Sequence, residues 1–241
     1  MLTTIYHTIL YQPILNLLVF FYNIIPGNDL GLAIILLTIV IKIIFSPLFV
    51  QSIKAQRAMQ AIQPKLNALK EKYKDNKEKM GVATMDLYKQ EKVNPLSSCL
   101  PLLIQLPFLI AVYQVFRTGL TGEHLDLLYS FIYNPGSLNP ISFGILNLSK
   151  ASIVMALLAG LAQFWQSKTM LGKQQKTNGK EVSLANTMTR QMTYMMPVLT
   201  VVIGASLPAG LTLYWFLVTI LGALQQFIIF KRMDKRVPSS S

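Results

Sequence analysis

Residues Leu30–Val50 read LGLAIILLTIVIKIIFSPLFV. The stretch is apolar, near the length needed to cross a hydrocarbon core of about 30 Å, and carries a single charge, Lys42. A lysine at the centre of a membrane helix costs about 2.5–3.5 kcal/mol on insertion scales, and such a residue faces a bundle interior or a water-filled cavity. Thr38, Lys42 and Ser46 stand at i, i+4 and i+8, which aligns them along one helical face. The pattern points to a wet, positively charged cavity within a membrane.

Composition extends this reading to the whole chain. Hydrophobic residues make up 52% and charged residues only 13%, where a soluble domain carries about a quarter charged. The apolar runs are continuous rather than alternating, so helices satisfy the backbone in lipid better than barrel strands. The single cysteine, Cys99, excludes an intrachain disulfide. His7 and His124 lie far apart without ligand-like neighbours, and the chain has no metal motif, phosphate loop or nucleophile elbow. It is therefore expected to bind no metal or cofactor and not to be an enzyme. The first basic residue is Lys42, so no basic n-region of a secretory signal precedes the early apolar stretch.

The expected fold class is an all-α polytopic membrane protein. Its parts are five transmembrane helices, an outer interfacial N-terminal helix and a cytoplasmic helical hairpin. Residues 1–26 are apolar but interrupted by Pro13, Asn16, Asn23 and Pro26, and the longest clean piece, Leu17 to Tyr22, is too short to span. They read as the amphipathic helix on the outer face, with a degenerate extra span as the alternative. The first span occupies 27–51, its helix starting near 29. Residues 52–94 form the cytoplasmic hairpin, 95–118 the second span and 119–150 an outer loop. The third to fifth spans fill 151–230, at about 151–170, 191–206 and 209–230, with a cytoplasmic loop at 171–190. A basic cytoplasmic tail covers 231–241.

Charge sets the orientation. Residues 52–94 hold ten Lys/Arg, 168–190 hold five and the tail holds four. Five spans put all three segments on one side, which the positive-inside rule assigns to the cytoplasm. The chain is expected in a bacterial plasma membrane, with its N-terminus outside and its C-terminus inside. The net charge of +12 thus bears first on topology, and no specific nucleic acid sequence is implied. In the outer loop, an apolar patch of Leu125, Leu127, Leu128, Phe131 and Ile132 is expected at the outer interface.

Within the hairpin, Met59, Ile62, Leu66, Leu69 and Tyr73 recur at spacings of three and four, an amphipathic seam. Pro64 is expected to kink or restart this arm, Asp75-Asn76-Lys77 to turn, and Val82, Met85 and Tyr88 to form a second stripe. Met59, Ile62, Leu66, Leu69, Tyr73 and Met85 make the candidate docking surface. The competing reading is a hairpin packed permanently on itself or the bundle.

The other spans also carry polar groups. Gln105 stands between Pro101 and Pro107, and Gln163 and Gln166 lie at i and i+3. Thr193 and Thr200 share a face, as do Thr212, Trp215, Thr219 and Gln226. Singly, such groups read as interhelical hydrogen bonds. Together with Lys42, which has no acidic residue in any span to meet it, they suggest a shared hydrated groove. Its candidate residues are Lys42, Thr38, Ser46, Gln105, Gln163, Gln166, Thr200, Trp215 and Thr219.

The chain resembles the YidC membrane protein insertases over nearly its whole length. The resemblance rests on Thr38-Ile39-Val40-Ile41-Lys42 with Pro47-Leu48, on Met59-Gln60-Ala61-Ile62-Gln63-Pro64, and on Leu69-Lys70-Glu71-Lys72-Tyr73. It rests also on Asn94-Pro95-Leu96, on Cys99 through Pro107, on Leu207-Pro208-Ala209-Gly210-Leu211, and on Tyr214-Trp215 with Gln225-Gln226. It implies a groove open to the cytoplasm and lipid and closed on the outer side. Lys42 stands where the family has an arginine, which keeps the charge but loses the forked guanidinium. Gln166 or Gln163 matches the family's polar position in the third span, and Trp215 its aromatic in the fifth. An extra N-terminal span with a large outer domain and a lipoprotein-type cysteine are both missing, so a minimal or trimmed version is expected. The implied function is insertion of small membrane proteins, whose short hydrophilic segments cross through the groove. The implied partners are nascent membrane proteins, with the ribosome, signal recognition components, a Sec-type translocon and anionic lipids as further candidates. The alternative is a small transporter or anion channel, although no inverted repeat is visible.

Overall fold

Pro13 does not interrupt the N-terminal helix. The computed structural model describes residues 2–94, 100–123, 125–171 and 184–234. In it, α1 (Leu2–Tyr6) runs into a π-helical turn (His7–Tyr11) and on into α2 (Gln12–Ile24). Tyr6, Tyr11 and Gln12 all keep right-handed helical dihedrals, and the Gln12 N–H donates to the His7 carbonyl, five residues back. A π turn widens the helix by one residue per bond. That gives the Pro13 ring room at the carbonyl it would otherwise strike, and proline has no N–H to lose. The rod is therefore long and apolar enough over Thr4–Ile24 to cross a membrane, beyond what the short run Leu17 to Tyr22 suggested.

The polar residues that punctuate this helix in sequence are its fasteners. Asn16 is buried; its Nδ2 donates to the Gln12 carbonyl (2.8 Å) and the Leu127 carbonyl (3.2 Å), and its Oδ1 accepts from the Tyr129 N–H (2.6 Å). Gln12 Nε2 also donates to Leu127 O at 3.0 Å, and Asn23 Nδ2 to Tyr133 O at 2.7 Å. Tyr6 and Tyr11 reach Gln114 and Thr118 of α7 (Leu100–Thr121). These bonds tie the helix to α7 and to the loop after it. The apolar patch of that loop divides accordingly. Leu125 is buried, Leu127, Leu128 and Ile132 pack against the main core, and Phe131 stays exposed.

The helix expected to continue to residue 51 ends early. α3 (Leu30–Ile44) is capped by Asp29, breaks at Phe45 and turns through 67° into α4 (Ser46–Ala61). Pro47, in the first turn of α4, cannot donate to the carbonyl four residues back, and it disfavours a helical conformation in the residue before it. The chain restarts once more at Pro64 in α5 (Gln63–Lys72) and returns in α6 (Lys77–Gln90), capped by Asn76. A 3₁₀ turn (Leu125–Leu127) and a two-residue hairpin of β1 (Ile141–Ser142) and β2 (Leu146–Asn147) follow α7. α8 (Ile153–Leu171), α9 (Leu184–Gly204) and α10 (Ala209–Asp234) complete the order.

α8 packs against both α9 and α10, which requires small side chains. Ala156, Ala159 and Ala162 are buried, and a Cβ on Gly160 would lie 2.3 Å from the Val201 Cγ2 of α9. The α9–α10 turn is pinned by the Ala209 and Gly210 N–H groups, which donate to the carbonyls of Lys150 and Leu148. α10 packs in turn on α3 and α7. Among the described residues, α10 is also long and apolar enough to cross a membrane, and the bent α3–α4 pair together would be a third such span. Residues 95–99, 172–183 and 235–241, which include much of the expected cytoplasmic loop and tail, lie outside the described residues.

Asn16→Ala removes three hydrogen bonds of a buried amide and leaves the part-buried Tyr129 N–H without its acceptor. A loss of about 1–3 kcal/mol is expected, seen as a lower midpoint of thermal unfolding in detergent. Asn23→Ala, whose bond is solvent-exposed, is expected to change it little.

Candidate functional site

Lys42 lies in the last turn of α3, and its surroundings are made by three helices. The bend at Phe45 carries Phe49 of α4 beneath it, with Lys42 Nζ 4.2 Å from the ring centroid. On the other side stands Gly222 of α10. A Cβ built there would lie 3.4 Å from Lys42 Nζ and 2.9 Å from the Nε2 of Gln166 on α8. Glycine at this position leaves the space into which the ammonium and the amide both project.

The ammonium opens onto a pocket of about 290 Å³ lined by Ile39, Lys42, Ile43, Ser46, Leu221 and Gln225. Gln225 Nε2 donates to Ser46 Oγ at 3.2 Å, joining α10 to the first residue of α4. Further along, Gln226 Nε2 donates to Gln56 Oε1 at 3.1 Å, both residues being buried. The side-chain amide oxygen of Gln226, Oε1, has no hydrogen-bond partner among the described residues. Among the described residues, no carboxylate pairs with Lys42. A cation–π contact supplies about 0.5–2 kcal/mol, less than the cost of a lysine within a membrane helix. The rest of its surroundings is the open pocket, lined by the Ser46 hydroxyl, the Gln225 amide and apolar side chains.

The residues expected at a groove are not all in one place. Lys42 and Ser46 line the pocket, and Gln166 reaches the same space. Gln163, one turn earlier on α8, is half-buried, as is Trp215 on α10. Thr219 is buried one turn before Gly222. Thr38 and Thr200 are buried, and each donates back to its own helix, to Ile34 O at 2.7 Å and Met196 O at 3.0 Å. Gln105 Nε2 donates to Tyr214 OH at 3.1 Å, joining α7 to α10. Three residues at the site went unselected in sequence. Gln225 had a signal, its position beside Gln226 in an apolar helix. Gly222 and Phe49 had none, since one acts by lacking a side chain and the other arrives through a bend.

The α5–α6 hairpin uses most of its seam internally. Ile62 and Leu66 are buried with Leu87, and Met59, Leu69, Tyr88 and Val93 pack around them. Tyr73 is half-buried beside Lys72. Met85 stays exposed, with Val82 next to it.

Residues 20–236 match the 60Kd inner membrane protein family. The chain is 33% identical over 205 residues to a protein of Fusobacterium nucleatum subsp. nucleatum named Membrane protein insertase YidC, covering 85% of this chain and 88% of that one. Proteins of the same name from Pelobacter propionicus and Nitrosococcus oceani are 36% and 34% identical, over 94% and 95% of this chain. The chain spans 39% and 37% of the length of those two relatives.

With Cys99 replaced by Ser, Lys42→Cys is expected to react quickly with a small charged thiol reagent in membranes. Ala33→Cys, fully buried on the same helix, is expected to stay protected. Adding Gly222→Leu fills the shared space and is expected to slow labelling at position 42 several-fold.

Proposed function

The chain belongs to the 60Kd inner membrane protein family, which includes the YidC insertases, and on that premise we propose that it inserts small proteins into the bacterial inner membrane. The observation that carries this reading is the ammonium of Lys42, which has no carboxylate partner among the described residues and opens onto a pocket shared by α3 and α10. A substrate's short, acidic hydrophilic segment would be drawn to this charge. Ser46, Gln166 and Gln225 would solvate its peptide groups, lowering the cost of carrying unsatisfied backbone into hydrocarbon. Gln105, Gln163, Thr38, Thr200, Thr219 and Trp215 belong to the same proposed groove, as its walls and the bonds that hold them. No covalent step is involved.

Helix lengths support a shortened crossing. α3 has 15 residues and the apolar part of α9 is Thr193–Gly204. At 1.5 Å per residue these reach about 22 Å and 18 Å, against a hydrocarbon core of about 30 Å. In this reading the bilayer thins around the bundle and the substrate helix leaves sideways into lipid, driven by its own apolar burial. In this reading α1 and α2 lie at the outer interface without crossing, and five spans would orient the N-terminus outside and the three basic segments in the cytoplasm. The basic hairpin, with Met85 and Val82 on its surface, would receive the ribosome, signal recognition components, a Sec-type translocon or anionic lipid.

The test is purified protein in liposomes with one single-span, acidic-tailed substrate, scored by protease protection and repeated in cells depleted of their own insertase. Lys42→Arg is expected to insert as the parent does. Lys42→Ala is expected to slow insertion about tenfold, matching a loss of about 1.4 kcal/mol of attraction, and Lys42→Glu to abolish it. Equal insertion by Lys42→Glu rejects the electrostatic role. Anion conductance without insertion rejects the insertase reading in favour of a channel.

A further inference from the structure

The loop between α7 and α8 carries no Asp, Glu, Lys, Arg or His from residue 127 to residue 149. Several of its exposed side chains are nevertheless large and apolar. Phe131 and Tyr133 are 78% and 77% exposed, and Ile145, next to the hairpin tip, is 91% exposed. A water-facing loop gains nothing from such a surface.

The hairpin tip is also strained. The Ile145 N–H donates to the Ser142 carbonyl at 3.2 Å, closing a turn in which Phe143 has φ +52° and Gly144 φ +73°. Glycine takes that conformation freely, but a bulky aromatic residue there is an outlier. Such strain persists only where the surroundings hold it, and it marks positions with a task. Asp29, the cap of α3, supplies the hold. Its carboxylate accepts from the Phe143 N–H at 2.6 Å and from the Ser142 hydroxyl, and Ser142 Oγ in turn accepts from the Gly31 N–H at 2.9 Å. The Phe143 ring lies against Gly31, where a Cβ would come within 2.8 Å of it. The tip is thus fixed at the first turn of α3, and the exposed apolar surface of that helix continues from there through Leu32 and Leu36. Tyr133 borders the same turn, in a cleft with Tyr22, Asn23 and Asn28.

We propose that this loop is a lipid anchor: Phe143 and Ile145 of the hairpin, with Phe131 and Tyr133, enter the interfacial layer of the bilayer at the α2–α3 end of the bundle. Three observations favour lipid over a protein partner. The segment has no charge with which to select a partner. Its aromatic rings, one tipped by a hydroxyl, suit the headgroup boundary. Its tip adjoins a helix flank that is itself exposed and apolar. The hairpin would set the height of α3 in the membrane through the Asp29 clamp, independently of what passes through the Lys42 pocket.

The experiment uses the full chain in phosphatidylcholine–phosphatidylglycerol vesicles, with Cys99→Ser and a nitroxide at Phe131→Cys, Ile145→Cys or, as the aqueous reference, Glu123→Cys. Collisional relaxation by oxygen, which concentrates in lipid, is compared with that by a water-soluble nickel chelate. Labels at 131 and 145 are expected to favour oxygen several-fold over the label at 123. Nickel accessibility equal to that at 123 overturns the proposal by placing the loop in water. Protection from both relaxants, relieved when the protein is diluted in lipid, overturns it in favour of contact with a second copy. All three sites are exposed, so the labels leave the packing intact, and unchanged circular dichroism verifies this.

Discussion

Pro47 cannot complete a helical hydrogen bond to the carbonyl of Ile43, and the site depends on the bend that results. A straight continuation of α3 would carry Phe49 and Ser52 further along the same axis. The 67° turn instead folds α4 back under the end of α3. Phe49 then lies beneath the Lys42 ammonium, Ser46 meets Gln225, and Gln56 meets Gln226. Each of these contacts joins an early helix to another element, and two of them reach α10, on the far side of the sequence. The same bend leaves the pocket open between Ile43 and Leu221 rather than sealed by a continuing helix.

The bundle is held by amides and hydroxyls that reach across it and by small residues that let helices approach. Asn16 clamps the loop after α7, Gln105 reaches Tyr214, and Gly160 brings α8 onto α9. Against this background Lys42 is the exception, since among the described residues its environment supplies an aromatic face and an open pocket but no counter-charge. In a static structural role, a neutral side chain at this position would be less costly. A cation that still has unused attraction is what the proposed recognition of acidic segments requires. The difference between lysine and the family's arginine then lies in geometry, because an ammonium acts as a point charge and a guanidinium as a planar fork.

Much of this was legible in the residues. Continuous apolar runs, scarce charge and the three basic segments identify a multi-pass helical membrane protein, and Lys42 stands out in its run without any knowledge of its neighbours. The restart at Pro64 and the cap at Asn76 follow from local chemistry. The local rule for proline misled at Pro13, where a π turn absorbs the ring, and held at Pro47, where the apolar run had suggested one helix to residue 51. Whether a proline breaks a helix depends on whether the turn before it can widen and whether packing rewards a straight rod. The N-terminal helix has such a reward in its bonds to α7 and the following loop.

The sequence by itself determined which polar groups sit in apolar segments and that they require partners, because hydrocarbon supplies none. It could not determine the partners. A period of 3.6 places Thr38, Lys42 and Ser46 on one face of an ideal helix, yet Thr38 bonds back to Ile34 while Lys42 faces a pocket and Ser46 lies past a bend. Only the arrangement of α4, α8 and α10 around α3 decided this, since each polar group takes the nearest acceptor or opening that the packed neighbours leave it.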